Sequence, residues 1–156
     1  MAIEIIGRDP EKWRPTTRET ADHSFPYCVA VALLDGDVTL RSFDERRLKD
    51  PALRRLMDHI RVVAQPEYVA VYPASLPTRI SLKTASGKTY TKERPYPLGH
   101  PKEPMSDREV EAKCRSLAGR ALGRARLQKM MDFVWTLERR SDIRALMPLL
   151  RVTAGR

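Results

Sequence analysis

Thr20-Ala21-Asp22-His23-Ser24-Phe25-Pro26-Tyr27, running on through Cys28-Val29-Ala30-Val31-Ala32-Leu33-Leu34 to Asp35-Gly36, decides the fold. From Pro26 to Leu34 the chain is almost purely apolar, which predicts a helix that other elements enclose. Ser24 has the hydroxyl that caps such a helix, and proline is tolerated in its first turn. Asp35-Gly36 supplies the stop. A helix of this kind needs partners, and the flanking sequence is read for them.

On the N-terminal side, Ala2 to Ile6 alternates and reads as a short strand. Residues 8–22 are polar, contain two prolines and read as a loop. On the C-terminal side, Ser42-Phe43-Asp44-Glu45 has capping-box spacing for a brief helical turn. Asp50-Pro51 opens a second helix, with Leu53, Leu56, Met57 and Ile60 on one face. Arg61–Ala64 is a short β candidate. Tyr68–Tyr72 alternates between prolines and reads as loop or edge strand. The clearest hairpin pairs Arg79–Thr84 with Lys88–Arg94 through Ala85-Ser86-Gly87, with Ile80 and Leu82 facing the core.

Pro95–Pro104 holds four prolines and one glycine and reads as a rigid connector. After it, Ser106-Asp107-Arg108-Glu109 is a capping box for a helix with Val110, Cys114, Leu117 and Ala121, ended by Gly123. A helix over about 125–139 follows, with Leu127, Met130, Met131, Val134 and Leu137. Ser141 caps a last short helix with Ile143, Leu146 and Met147, cut by Pro148. Strand, helices, strands, then three helices make an α+β chain rather than alternating βαβ units. The expected organisation is a small domain of helices and a short antiparallel sheet over 1–95, followed by a C-terminal helical segment over 105–150.

The chain has 156 residues, enough to bury a core, with 42% hydrophobic and 31% charged residues. Its 29 Lys+Arg against 20 Asp+Glu give a net charge of +9, which favours anionic partners. The basic residues are scattered, densest at Arg115, Arg120, Arg124, Arg126 and Lys129. No zinc-finger, basic-zipper or RNA-recognition signature accompanies them, so a solvated surface is expected over a nucleic-acid footprint. Cys28 and Cys114 lie in apolar helical patterns and read as buried thiols, not a disulfide framework. No apolar run is long enough to span a membrane and no signal peptide is apparent, so the expected location is cytoplasmic.

The catalytic inventory is thin. His23, His59 and His100 are far apart, and neither they nor the cysteines have metal-ligand spacing. There is no phosphate-cradling glycine loop and no GxSxG elbow. His23, between Asp22 and Ser24, can act as acid, base or carboxylate donor; its alternative role is to satisfy the helix terminus with Ser24. Tyr27 either turns its hydroxyl into a pocket or is core with a satisfied tip. Lys12, Arg14, Arg18 and Lys102 are the cations that suit a polycarboxylate, each weighed against a role as solvated charge. His100-Pro101-Lys102 reads as a turn that fixes the chain path, and His59 as a residue at a helix end.

A second stretch joins the first: Gly99-His100-Pro101-Lys102-Glu103-Pro104-Met105-Ser106-Asp107, running into Glu109-Val110-Glu111-Ala112-Lys113. In this order and spacing the two resemble the C-terminal part of the MmgE/PrpD family, the 2-methylcitrate dehydratase-like lyases, from about Gly7 to Leu150. The resemblance implies a two-domain parent: a large helical domain built from the N-terminal part and the extreme C-terminus, with a smaller α+β lid inserted. Residues 1–95 resemble the lid and 105–150 the helical return. Family activities include dehydration of 2-methylcitrate, decarboxylation of cis-aconitate and isomerisation of related acids, without metal or iron–sulfur cluster. No cofactor is therefore expected.

Most of the family's acid–base residues belong to the N-terminal part, so no catalytic residue is assigned in this chain. The resemblance carries over the lid side of the cleft, Asp22, His23, Ser24 and Tyr27. With Arg14, Arg18 and Lys102 these are the candidate substrate-pocket residues. Cys114 stands where relatives commonly have an aromatic residue. The expected function is that of a lyase fragment, inactive alone. Alternatives are a split-lyase subunit that needs an N-terminal partner chain, and a basic module for nucleic acid or an acidic partner. Met1 would fall in the middle of the family's fold, as a truncated gene, a split gene or a shortened reading frame would each explain. The tail's Leu127, Met130, Met131, Val134 and Trp135 would then lack a partner, so the chain is expected to associate with the helical part or with itself.

Overall fold

The computed structural model describes Gly7 and residues 9–152. The expected strand at Ala2–Ile6 lies outside the described residues. The chain divides into two compact units, Met1–Ser75 and Leu76–Arg156. Among the described residues the elements are helices and one two-stranded antiparallel sheet, an α+β class.

The first unit is helical among the described residues: α1 (Pro10–Trp13), α2 (Arg18–Asp22), α3 (Phe25–Asp35), a 3-10 turn at Leu40–Phe43, α4 (Glu45–Leu48), α5 (Pro51–Met57) and α6 (Pro66–Ala70). Helix α3 begins and ends as its sequence requires. The Ser24 hydroxyl accepts the Tyr27 N–H at 3.1 Å, and Pro26 sits in the first turn. Gly36 closes the helix in the left-handed conformation at φ 78°, a position that disfavours a side chain. Tyr27, Ala30 and Val31 bury against Ala21, Leu48, Leu53 and Met57, with Phe43, Leu56 and Ile60 at the margin. The helix is not enclosed on all sides, however: Leu33 and Leu34 are exposed, as are Val38 and Leu40 beyond it.

The described part of 8–22, residues 9–22, is not the expected loop. Their prolines stand where helices accept them: Pro10 opens α1, and Pro15 is buried between α1 and α2. Thr17 caps α2 by accepting the Thr20 N–H at 3.2 Å. Likewise 68–72 is not a strand, because Pro66 starts α6. Residues 61–64 form no strand either, since no other described segment pairs with them. The capping pair before α4 is Thr39 and Ser42, not Ser42 and Glu45: the Ser42 hydroxyl accepts the Thr39 N–H at 3.0 Å.

The Ser24 hydroxyl also donates to the Lys12 carbonyl, tying α1 to the start of α3. Ser24→Ala should therefore cost about 1–2 kcal/mol, the upper range for a lost cap, because a carbonyl partner is lost with it. Urea denaturation measures this. A change below about 0.5 kcal/mol would place the hydroxyl among ordinary surface groups.

The second unit opens with β1 (Thr78–Lys83) and β2 (Thr89–Arg94), paired in register from Thr78 opposite Arg94 to Lys83 opposite Thr89. Ile80 and Leu82 do not face a core. They are 41% and 36% exposed, because no second layer of described residues covers either face of the hairpin within this unit. Helix α7 (Asp107–Leu122) starts at the expected box: Ser106 accepts the Glu109 N–H, and Glu109 accepts the Ser106 N–H at 2.8 Å. Gly123, at φ 72°, turns the chain into α8 (Arg124–Val134). Leu127, Met131 and Phe133 are buried, and Leu127 packs 3.7 Å from where a Cβ on Gly119 would stand.

Leu127 and Met131 thus have partners, whereas Val110, Leu117, Val134 and Trp135 remain exposed. Helix α8 stops at Val134 and a 3-10 turn at Leu137–Arg139 follows, so the expected helix over 125–139 is broken. Asp142, not Ser141, caps the next turn, Ile143–Leu146, by accepting the Arg144 N–H at 2.9 Å. Pro148 does not cut the last helix but lies in the first turn of α9 (Met147–Leu150), where no N–H is needed. The two thiols are half-buried rather than enclosed. No described helix is long and apolar enough to cross a membrane.

Charge is divided unevenly. Residues 1–75 hold 11 Lys+Arg against 12 Asp+Glu, net −1; residues 76–156 hold 18 against 8, net +10.

Candidate functional site

The Asp22–Tyr27 turn joins α2 to α3 and separates its side chains into two sets. Asp22 and His23 point outward. His23 follows α2 as its C-terminal cap, with its side chain 63% exposed. Its Nδ1 lies 3.1 Å from the Glu19 carbonyl oxygen and is also paired with Asp22 Oδ1. Both partners are acceptors, so Nδ1 carries the ring proton. In the neutral ring the lone pair then sits on Nε2, the nitrogen that an approaching molecule meets.

Ser24 and Tyr27 form the inward set, and both are buried. The Tyr27 hydroxyl donates to the Ser42 carbonyl at 2.5 Å, and its ring lies tilted on Phe43 with centroids 6.0 Å apart. Burial pushes the Tyr27 phenol up to about 12, against the pull of the Arg47 guanidinium. Cys28, the next residue, has its thiol pushed up, first by burial and then by Asp22, which disfavours a reactive thiolate. Ser24 and Tyr27 therefore spend their polar groups inside the first unit, and the Asp22–His23 pair is the outward chemical feature of the turn.

The candidate cations are spread out. Arg18, exposed, opens α2 one turn before Asp22. Arg14 pairs with Asp58 at 2.5 Å. Lys102 belongs to the second unit, where its ammonium donates to the Tyr96 hydroxyl at 3.0 Å. His59 has its Nδ1 2.9 Å from the Arg55 carbonyl, and His100 Nδ1 accepts the Lys102 N–H at 3.1 Å. Among the described residues no three His, Cys, Asp or Glu side chains converge as a metal site.

Sequence reasoning missed two arginines that tie elements of the first unit together. Arg47 spans Asp35, at the end of α3, and Asp50, the cap of α5. Arg54 donates to the Leu48 carbonyl at 2.9 Å and to the Pro15 carbonyl at 2.7 Å. The Arg47–Asp50 spacing is a local signal that was there to be read. The Arg54–Pro15 bond crosses 39 residues and leaves none.

Comparison with known proteins gives the class: residues 1–138 match the MmgE/PrpD C-terminal domain, and the chain belongs to that family. Individual relatives follow. Cis-aconitate decarboxylase of Homo sapiens is 29% identical over 137 residues, covering 88% of this chain and 28% of that protein. Cis-aconitate decarboxylase of Aspergillus terreus is 30% identical over 146 residues, covering 92% of this chain and 29% of that protein. The cis-aconitate decarboxylase-like protein oryM of Aspergillus oryzae is 30% identical over 145 residues, with the same coverage. The chain thus spans less than a third of the length of these relatives.

Proposed function

We propose that the chain serves as the C-terminal domain of a cytoplasmic lyase acting on small polycarboxylates, with cis-aconitate decarboxylation as its first chemistry. The family match, together with relatives named as cis-aconitate decarboxylases, carries this reading. In decarboxylation the bond between the carbon skeleton and one carboxylate breaks. Carbon dioxide leaves, the electron pair stays on carbon, and an acid delivers a proton there. Dehydration of 2-methylcitrate is the alternative: a base removes a proton alpha to a carboxylate and hydroxide leaves as water with a proton from an acid. Either needs a side chain that gives or takes a proton, and His23, through Nε2, is the proposed candidate. Arg14 and Arg18, in the same unit as His23, are the proposed contacts for carboxylates.

The reading requires an N-terminal helical part, on the same polypeptide or a partner chain, to supply most acid–base groups. The exposed Val110, Leu117, Val134 and Trp135 support a covering partner of that kind or a second copy. The test is to assay the chain alone, and mixed with the N-terminal part of a cis-aconitate decarboxylase, for carbon dioxide release from cis-aconitate. The same mixtures are assayed for water loss from 2-methylcitrate. The expected result is no turnover alone and carbon dioxide release by the mixture. Turnover of 2-methylcitrate only would select the dehydratase chemistry. Failure of the two parts to associate, or full activity by the chain alone, would overturn the reading.

A further inference from the structure

Side chains alternate across a strand pair, so the register fixes which residues share a face of the hairpin. Arg79, Ser81, Lys83, Thr89, Thr91 and Glu93 lie on one face. That face satisfies itself: Arg79 pairs with Glu93 at 2.6 Å and Ser81 bonds Thr91 at 3.0 Å. The opposite face carries Thr78, Ile80 and Leu82 across from Arg94, Lys92 and Tyr90. It sets cations directly against apolar or hydroxyl side chains, and it is not closed in the same way.

Over this second face lies a groove of about 470 Å³. Leu76, Ile80, Tyr96 and Pro97 give it apolar walls, and Lys92 and Arg94 give it positive charge. The Tyr96 wall is held in place. Its ring stacks on His100 with centroids 4.6 Å apart, and its hydroxyl accepts from Lys102. The turn beneath is closed by Gly99 N–H to the Glu103 carbonyl at 2.9 Å and Glu103 N–H to the His100 carbonyl at 2.8 Å. Glu103 in turn holds Arg94 through one end of its guanidinium. The guanidinium fork has further N–H donors beyond the one facing Glu103. The Lys92 ammonium has no hydrogen bond or ion pair with the described residues.

Lys92 and Arg94, two residues apart on one strand, stand about 7 Å apart along it. That spacing matches two carboxylates joined by a few single bonds. A bare phosphate would use the cations but leave the apolar walls empty. A fatty acid would fill the walls but meet only one cation. We propose that the groove is a binding site for a small dicarboxylate or tricarboxylate. Lys92 is its first anion contact and Arg94 its second, and the Ile80 and Tyr96 side chains lie against the carbon skeleton. The site stands on the hairpin groove alone and does not depend on the lyase reading of the Asp22–His23 turn.

The experiment uses the full chain, labelled with nitrogen-15 and titrated with citrate, inorganic phosphate and hexanoate at low and physiological salt. Citrate is expected to give saturable amide shifts clustered at 76–82 and 90–97. Lys92→Gln should weaken citrate binding by about tenfold or more, the loss of one well-placed charge contact. Lys83→Gln makes the same charge change on the opposite face and should alter binding by less than about twofold. Both lysines are exposed, so both variants keep the fold, which the hairpin amide pattern verifies. Equal weakening by the two variants, or shifts spread along 115–129, would overturn the proposal in favour of net charge alone. So would phosphate or hexanoate binding as tightly as citrate. Displacement of citrate by a single-stranded oligonucleotide with a steep salt slope would overturn it in favour of a polyanion surface.

Discussion

His23→Ala in the assembled lyase should lower kcat by about a hundredfold or more while leaving the melting temperature unchanged. A positioned acid or base contributes roughly a hundred- to ten-thousandfold. His23 is proposed for that role because its Nδ1–H donates to the Glu19 carbonyl and the Asp22 carboxylate, which puts the lone pair of the neutral ring on Nε2. Little stability is at stake, since the ring is mostly exposed and its bonds are to residues of the preceding turn. The cap of α3 is Ser24, not His23. The measurement is kcat with a thermal melt of the same sample. Normal turnover in the folded fraction, with a loss above about 1 kcal/mol, would make His23 a structural cap and end its proposed site role.

Tyr27→Phe should change how stability falls in alkali. The folded-state pKa of Tyr27 is about 12, above its ordinary value of 10. A group raised in this way contributes stability that is fully present below pH 10 and is lost as pH climbs toward 12. A rise of that size is worth roughly 2–3 kcal/mol. The phenylalanine variant lacks the ionisation. It should start about 1–2 kcal/mol less stable at neutral pH, having lost the bond to the Ser42 carbonyl. From pH 10 to 12 the two curves should converge or cross. Urea denaturation across that range measures the difference, and parallel curves would show that the phenol is not held neutral by burial.

The parts legible in the sequence are those fixed within a few residues. Ser24 with Gly36 framed α3, Ser106 with Glu109 started α7, and Ala85-Ser86-Gly87 turned the hairpin. Each rests on a local bond or a local backbone requirement. The α+β class followed from their order. What failed was inference about surroundings. Apolar Leu33, Leu34, Ile80 and Leu82 promised enclosure that neither unit supplies. Prolines at 10, 15 and 66 looked like breaks, yet two of them start helices and the third is buried between a pair. The candidate turn was visible as Asp-His-Ser-x-x-Tyr. Its division into an outward Asp22–His23 pair and an inward Ser24–Tyr27 pair was not, because that depends on Ser42 and Lys12, which lie far along the chain.

Among the described residues the hairpin of the second unit is a sheet with no interior: both of its strands are edges. An open edge is a template for another strand, and sheets protect themselves by lengthening, curling or wearing charge. This one has six-residue strands carrying Arg79, Lys83, Lys92 and Arg94, with Lys88 in the turn stacked over Tyr90. The lysines and arginines are therefore also its guard against fibre growth. Any change that makes the hairpin more neutral trades solubility for stickiness, whatever it does to ligands.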